Sequence, residues 1–243
     1  MSSPERPLAS GPTARRSPFT PALAYSVLTP VYDLALEVLG VGRSFKAAVA
    51  ELAAVAPGEA VLDLGCGTGT LLRALVAGQP EGRFTGIDPD PLVLAIARRR
   101  LQFSTPSVEL VEGYAQDLPF PHEAFELVIS TLIFHHLPDP VKLAALAEVR
   151  RVLAPHGRFL LVDFGAPPTR TARVLLTLGS LFDGRDNMRA NLAGELPDML
   201  AAAGFEVAEV SRRTGACVTS SAARIALPDA PSGEMADARW APR

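Results

Sequence analysis

The residues Asp63-Leu64-Gly65-Cys66-Gly67-Thr68-Gly69 close a short apolar run and open a segment with helical spacing. Glycines in such a turn let the backbone pass close beneath a ligand, and the following helix presents free N–H groups there. About twenty residues further on, Asp88 ends the next apolar run, where a carboxylate can accept hydrogen bonds from both hydroxyls of a ribose. A glycine turn alone could be a tight strand–helix corner. Together with a strand-end acid it points to an adenosine-containing ligand. The glycine spacing is G-x-G-x-G, not G-x-G-x-x-G, and Asp63 stands two residues before the first glycine. A carboxylate at that point repels a pyrophosphate in a partly desolvated site and favours a ligand that carries a cationic amino group.

The elements that must position these residues are legible as alternating periods. In 22–55, apolar stripes (Leu34, Val38, Val41, then Phe45, Val49, Leu52, Val55) predict helices, which Pro57-Gly58 ends. Strands are then expected at 60–64, 83–88, 108–111, 125–130 and 158–164, with helices at 70–76, 91–103 and 141–153. Nearly all-apolar strands joined through helices imply crossover connections and a parallel sheet buried on both faces. After Gly165 the pattern loosens into an apolar run at 174–182, a helix near 192–203, and possible antiparallel strands at 205–210 and 216–225.

The chain has 243 residues, 48% hydrophobic and 20% charged, enough to bury one sizeable core and too apolar for wholesale disorder. A formal charge of -3, with no basic segment, disfavours a nucleic-acid partner. Cys66 and Cys217 cannot build a disulfide framework, which fits a reducing cytoplasm. No run of 18 apolar residues predicts a membrane span. Arg15-Arg16 is followed by Pro21, Pro30, Asp33 and Glu37, which break the apolar region an export signal needs. Proline-rich 1–21 reads as a disordered arm and 229–243 as a flexible tail.

Four blocks, VLDLGCGTG, TGIDPDP, AQDLPFPHEAFELVIST and RVLAPHGRFLLVD, resemble in order and spacing the class I S-adenosylmethionine-dependent methyltransferases. The resemblance covers about 60–165 and is nearest to the small-molecule branch that includes the ubiquinone/menaquinone C-methyltransferases. It implies a doubly wound, Rossmann-like α/β sheet of seven strands, mostly parallel with the last antiparallel, under an N-terminal helical lid. The expected organisation is an arm at 1–21, a lid at 22–57, the cofactor-binding domain at 58–228, and the tail. The implied cofactor is S-adenosylmethionine. Gly65, Gly67 and Gly69 would line its methionine and ribose side, with Cys66 a small buried residue among them and Asp63 facing the amino group. Asp88 would hold the ribose, Ile87 and Pro89 would pack on the adenine, and Gln116, Asp117 and Leu118 would surround that ring. Ser130 would close the floor. Taken alone, Asp117 could equally be a solvated turn carboxylate before Pro119.

His135 follows the fourth strand and is the candidate general base for an acceptor proton. The competing reading is a histidine that orders the loop before Leu137-Pro138, and the spread of paired histidines across this family's chemistries favours it. Tyr25 and Tyr32 are candidates for lining an acceptor pocket. The chain lacks the Asn/Asp-Pro-Pro-aromatic box and the Pro-Cys pair of nucleic-acid methyltransferases, and an acidic metal cluster is not evident. The expected activity is methyl transfer to a small, apolar or aromatic acceptor, without a metal. The rival readings are a nicotinamide-dependent oxidoreductase, which Asp63 and the Asp117-Leu118 block oppose, and a non-catalytic S-adenosylmethionine-binding protein.

Overall fold

The computed structural model describes residues 43–103, 108–167, 169–171, 173–174, 186–214 and 219–226. The expected arm, residues 22–42 of the expected lid with Tyr25 and Tyr32, Cys217, most of the 174–182 run and the tail lie outside the described residues.

Five strands make a parallel sheet: β1 (Ala60–Leu64), β2 (Arg83–Asp88), β3 (Val108–Glu112), β4 (Phe125–Thr131) and β5 (Leu153–Phe164). They stand in the order β3-β2-β1-β4-β5, an α/β Rossmann-like arrangement. At the β5 edge follow β7 (Thr219–Ala226), antiparallel to both neighbours, and then β6 (Glu206–Thr214). Every residue of β1 is buried, because helices cover both faces of the sheet. On one face α1 (Arg43–Ala53), α2 (Thr70–Gly78) and α3 (Pro91–Leu101) bring Phe45, Val49, Leu71, Leu75 and Leu94 against Val61, Leu127 and Ile129. On the other, α4 (Asp139–Val152) and α6 (Leu196–Ala202) bring Leu146, Val149 and Leu200 against Leu62, Val128, Phe159 and Leu161. Among the described residues, no helix is long and apolar enough to cross a membrane.

The boundaries have local causes. Pro91 starts α3, and the Asp90 carboxylate accepts from the amides of Leu92 (2.8 Å) and Val93 (3.4 Å), which otherwise lack partners. The helix expected near 192–203 is instead two short ones, α5 (Arg189–Ala193) and α6. Gly194, at φ 78°, ends the first while its own N–H and that of Glu195 donate back to the carbonyls of Asn191 and Ala190. Pro197 then opens the second, since its missing N–H costs nothing in a first turn. β5 begins at Leu153, earlier than expected. Its pairing with β4 steps from Phe125↔Leu153 to Leu127↔Arg158, so Pro155 falls in an irregular stretch where no ladder N–H is required.

Arg158 fastens α1 to this sheet. Its guanidinium donates to the carbonyls of Ala53 (2.8 Å) and Ala54 (3.1 Å) at the helix C-terminus. It also pairs with the buried Glu59 carboxylate through both terminal nitrogens. Removing the cation leaves a buried carboxylate with one amide partner, the Ala56 N–H at 2.8 Å. Arg158→Met should therefore destabilise the fold by about 2 kcal/mol. In a chain of this size that is a fall of roughly 4–8 °C in Tm, read by thermal unfolding.

Candidate functional site

From β1 the sheet continues in opposite directions, to β2 and β3 on one side and to β4 and β5 on the other, so the carboxyl ends of β1 and β4 flank a crevice. Asp63 stands on β1, one residue before its carboxyl end. It is 1% exposed, and neither carboxylate oxygen has a hydrogen-bond partner among the described residues. Burial pushes its pKa up to about 7, against the opposing pull of Lys46 and with a smaller upward push from Asp88. A carboxylate without donors is unfavourable by several kcal/mol if it stays ionised, and a cationic ligand group relieves that cost.

The glycine turn divides its labour. Gly65 and Gly67 both hold left-handed backbone, at φ 73° and 54°. A side chain at 67 would meet nothing within 4 Å, so the space above that peptide is open. A Cβ at 65 would lie 2.2 Å from Ile133 Cδ1, so this glycine makes room for that side chain. Gly69, too, is faced by Ala97 and Leu101 of α3. Cys66 is buried, and desolvation pushes its thiol pKa well up, the opposite of an activated nucleophile.

Asp88 ends β2 with both oxygens engaged: Oδ2 accepts from the Gly67 N–H and Oδ1 from the Asp90 N–H, each at 3.0 Å. It thereby holds the glycine turn to β2, and two lone pairs remain for hydroxyl donors. Burial raises its pKa, opposed by these two amide bonds. Pro89 follows at the rim, half-buried. Gln116 and Asp117 lie in a tight turn closed by the Asp117 N–H on the Tyr114 carbonyl (3.1 Å). Asp117 is exposed and Leu118 buried. What fixes this turn is a pair the sequence reading passed over. Glu148 accepts the Leu118 N–H (2.8 Å), and Arg151 donates to the carbonyls of Leu118 (2.9 Å) and Phe120 (2.8 Å). Their i, i+3 spacing on α4 was the available signal.

Ser130 is fully buried on β4, its hydroxyl without a partner among the described residues. Beyond it the chain turns sharply at Leu132, φ 59°, and enters a 3₁₀ turn, Phe134–His136. His135 is 4% exposed, with Nδ1 2.7 Å from Asp163 Oδ1. Burial works to raise the Asp163 pKa, but the charge and hydrogen bond of His135 and the Phe164 amide outweigh it, so the carboxyl titrates below its ordinary value. An ionised carboxylate only accepts. Nδ1 is therefore the donor, and in the neutral ring Nε2 carries the free lone pair. Asp163 also takes the N–H groups of Phe134 and Phe164, each at 2.7 Å, and Asn191 from α5 reaches it at 3.4 Å. Neither Asp163 nor Asn191 was singled out from sequence, since each becomes chemical only through contacts 28 residues away.

A second residue missed in sequence is Lys46. From α1 its Nζ donates to Thr131 Oγ1 at the end of β4. Burial lowers its pKa, while Asp63 and Asp163 counteract that. In sequence it reads only as a polar position of an amphipathic helix.

Residues 61–157 match the family described as "Methyltransferase domain". The chain is 35% identical over 203 residues to a demethylmenaquinone methyltransferase of Thermus thermophilus, covering 75% of this chain and 91% of that protein. It is 37% identical over 142 residues to a ubiquinone/menaquinone biosynthesis C-methyltransferase of Ectopseudomonas mendocina, covering 56% of this chain and 54% of the relative. The magnesium protoporphyrin IX methyltransferase from Synechocystis, solved with S-adenosylhomocysteine, shares its fold at a TM-score of 0.65 and 19% identity, over 84% of this chain and 96% of that one. A buried carboxylate with no hydrogen-bond partner among the described residues, on the strand that leads into an open glycine peptide, suits a cationic, ribose-bearing ligand. Together with sequence shared along nearly the whole Thermus enzyme, it establishes that the chain belongs to the class I S-adenosylmethionine-dependent methyltransferases.

Proposed function

We propose that this enzyme methylates a small, apolar or aromatic acceptor of the quinone-precursor type, at a carbon or other soft nucleophile, in the cytoplasm. The observation that carries the reading is Asp63, a buried carboxylate with no hydrogen-bond donor among the described residues, on the strand that leads into the open Gly67 turn. S-adenosylmethionine fits these residues, since it brings the ammonium that Asp63 lacks and the ribose hydroxyls that Asp88 can still accept. When bound it supplies a methyl group already activated on a sulfonium. The chain's own task is then to align the reactants and exclude water, an orientation effect more than acid–base chemistry.

In this reading Asp63 holds the amino group, Gly65, Cys66, Gly67 and Gly69 form the turn beneath the ligand, and Asp88 holds the ribose. Pro89 and Leu118 enclose the adenine, with Gln116 and Asp117 at its polar edge and Ser130 on the floor. Tyr25 and Tyr32 belong to a helical lid at 22–57 that lines the acceptor side. Residues 58–228 form the cofactor-binding domain, completed as a seven-stranded sheet, between the arm at 1–21 and the tail at 229–243. His135, clamped by Asp163, orders the loop over the acceptor. The quinone-type acceptor rests on what the Thermus and Ectopseudomonas relatives are named for.

Turnover with labelled S-adenosylmethionine and demethylated quinone precursors tests the whole reading, and absence of transfer in folded protein that binds cofactor would favour the non-catalytic alternative. Asp88→Ala should weaken S-adenosylhomocysteine binding roughly tenfold to a hundredfold by calorimetry, the scale of a hydrogen bond to a charged group. Tm should fall with it, because the Gly67 tether is lost.

Asp63 carries a pH signature. Its native pKa of about 7 lies above the ordinary 3.8, so the folded protein keeps this proton longer than the unfolded chain does. The associated destabilisation is absent below the unfolded pKa, grows as pH rises, and is complete above about 7. Asp63→Asn should therefore raise the Tm of the ligand-free protein more at pH 8 than at pH 5, while weakening S-adenosylhomocysteine binding. A Tm increment independent of pH would remove the charge from this account.

His135→Ala should lower Tm by several degrees and leave saturated turnover well above the roughly 100-fold loss expected when a general base is removed. A loss of that size, with wild-type rate falling as the imidazole protonates, would assign proton removal to Nε2 instead.

A further inference from the structure

Resting on the reading above, in which the His135 loop lies over the acceptor, we propose that Lys142 is a positioning residue for the acceptor side. Through Asn187 it holds the turn that carries His135 where Asp163 can clamp it. Lys142 stands in the first turn of α4 with its side chain fully buried. Its ammonium donates to the Asn187 carbonyl (2.6 Å) and to Asp139 Oδ1 (3.0 Å). Asn187 in turn donates from Nδ2 to the carbonyl of His136 (2.8 Å), in the same 3₁₀ turn as His135. Next in the chain, Arg189 donates to Asp139 Oδ2 (2.6 Å). Asn191 then donates to the Phe164 carbonyl (2.9 Å) and to Asp163 Oδ1 (3.4 Å). Positions 187, 189 and 191 thus tie one short stretch to the turn after β4, to α4 and to the end of β5.

Two cations meet in this network, and water separates their roles. The Arg189 side chain is 59% exposed, and an ion pair open to solvent contributes little. Lys142 is 0% exposed, so its N–H groups must find their acceptors within the protein. A buried ion pair adds little net stability over an apolar group of similar volume. What the ammonium adds over packing is therefore direction: it fixes where the Asn187 carbonyl sits, and hence where the Asn187 amide meets the turn. Asp139 keeps Arg189 and part of its exposure, so loss of the ammonium strands no buried charge. Farther along α4, Glu148 and Arg151 grip the 117–120 loop, on the cofactor side. Lys142 and Glu148 stand about 9 Å apart along the helix, so the two grips are separable.

The test sets Lys142→Met beside Arg158→Met, which loosens the fold at the α1 edge, away from this network. The first readout is the Nδ1 proton of His135, which donates to Asp163, followed by proton NMR in the full chain. In Lys142→Met its exchange with solvent should quicken roughly tenfold or more, the scale of one lost hydrogen bond to a charged group. In Arg158→Met it should stay near wild type, although the Tm falls. The second readout is turnover with demethylmenaquinone as the acceptor probe. Lys142→Met should raise the acceptor KM about tenfold with kcat within a few-fold, the mark of lost binding and not of lost chemistry. Affinity for S-adenosylhomocysteine should stay within about twofold, since the grip on the 117–120 loop is untouched. Wild-type proton exchange in folded Lys142→Met overturns the proposal. Equal quickening in Arg158→Met also overturns it and makes Lys142 a general stabiliser. If Lys142→Met fails to fold, Asn187→Ala decides, because it removes the amide on His136 and keeps the carbonyl that Lys142 holds; unaltered exchange there overturns the proposal. If wild type binds cofactor but methylates no quinone precursor, the acceptor reading falls by itself, and the His135 proton still decides the role of Lys142.

Discussion

A carboxylate taken out of water must be met by donors, and two buried aspartates in this protein answer that requirement in opposite ways. Asp163 is met completely. A histidine ring, three backbone amides and an asparagine converge on it, and the convergence binds β5, the turn after β4 and α5 into one unit. Asp63, one residue before the end of β1, has no hydrogen-bond partner among the described residues. The fold keeps it buried by packing the strand on both faces, and that burial raises its pKa to about 7. The first aspartate holds the architecture together, and the second keeps its capacity to accept hydrogen bonds.

The strands and helices around them serve to make that contrast possible. Crossovers on both faces put five strand ends at one edge of the molecule, and the divergence between β1 and β4 opens the crevice there. Supporting pairs then fix the rim. Asp88 draws the glycine turn onto β2, while Glu148 and Arg151 hold the 117–120 loop from below. Lys142, fully buried on α4, donates to Asp139 and to the carbonyl of Asn187, which in turn donates to the His136 carbonyl. The loop that carries His135 is thus braced from both sides.

Much of this was legible in the residues themselves. Strands of unbroken apolar character between helical periods located β1 to β4 within a residue or so, because a parallel sheet buried on both faces leaves that mark in the chain. The glycine turn and Asp88 were readable from spacing, because they close adjacent strands and meet there, the Gly67 N–H on Asp88 Oδ2. What spacing could not show were partners distant in sequence. Lys46 meets Thr131 across 85 residues and Arg158 meets Glu59 across 99. Each looks ordinary in its own helix or strand until the sheet brings the other to it. Gly194 is a different case: a single glycine inside an apolar period is visible in the sequence, and its left-handed backbone splits the expected 192–203 helix in two.

Ile133 and Gly65 have a consequence for how this sequence can drift. The isoleucine fills the volume that any side chain at 65 would claim, and Leu132 holds an uncommon backbone conformation to deliver it there. The two positions therefore form one unit of variation. A larger residue at 65 needs a smaller one at 133 and is still strained by the left-handed backbone there, and each change made first leaves either a clash or a void. Single steps away from this pairing all lead downhill in stability, so the glycine is guarded by its neighbour as firmly as by any ligand.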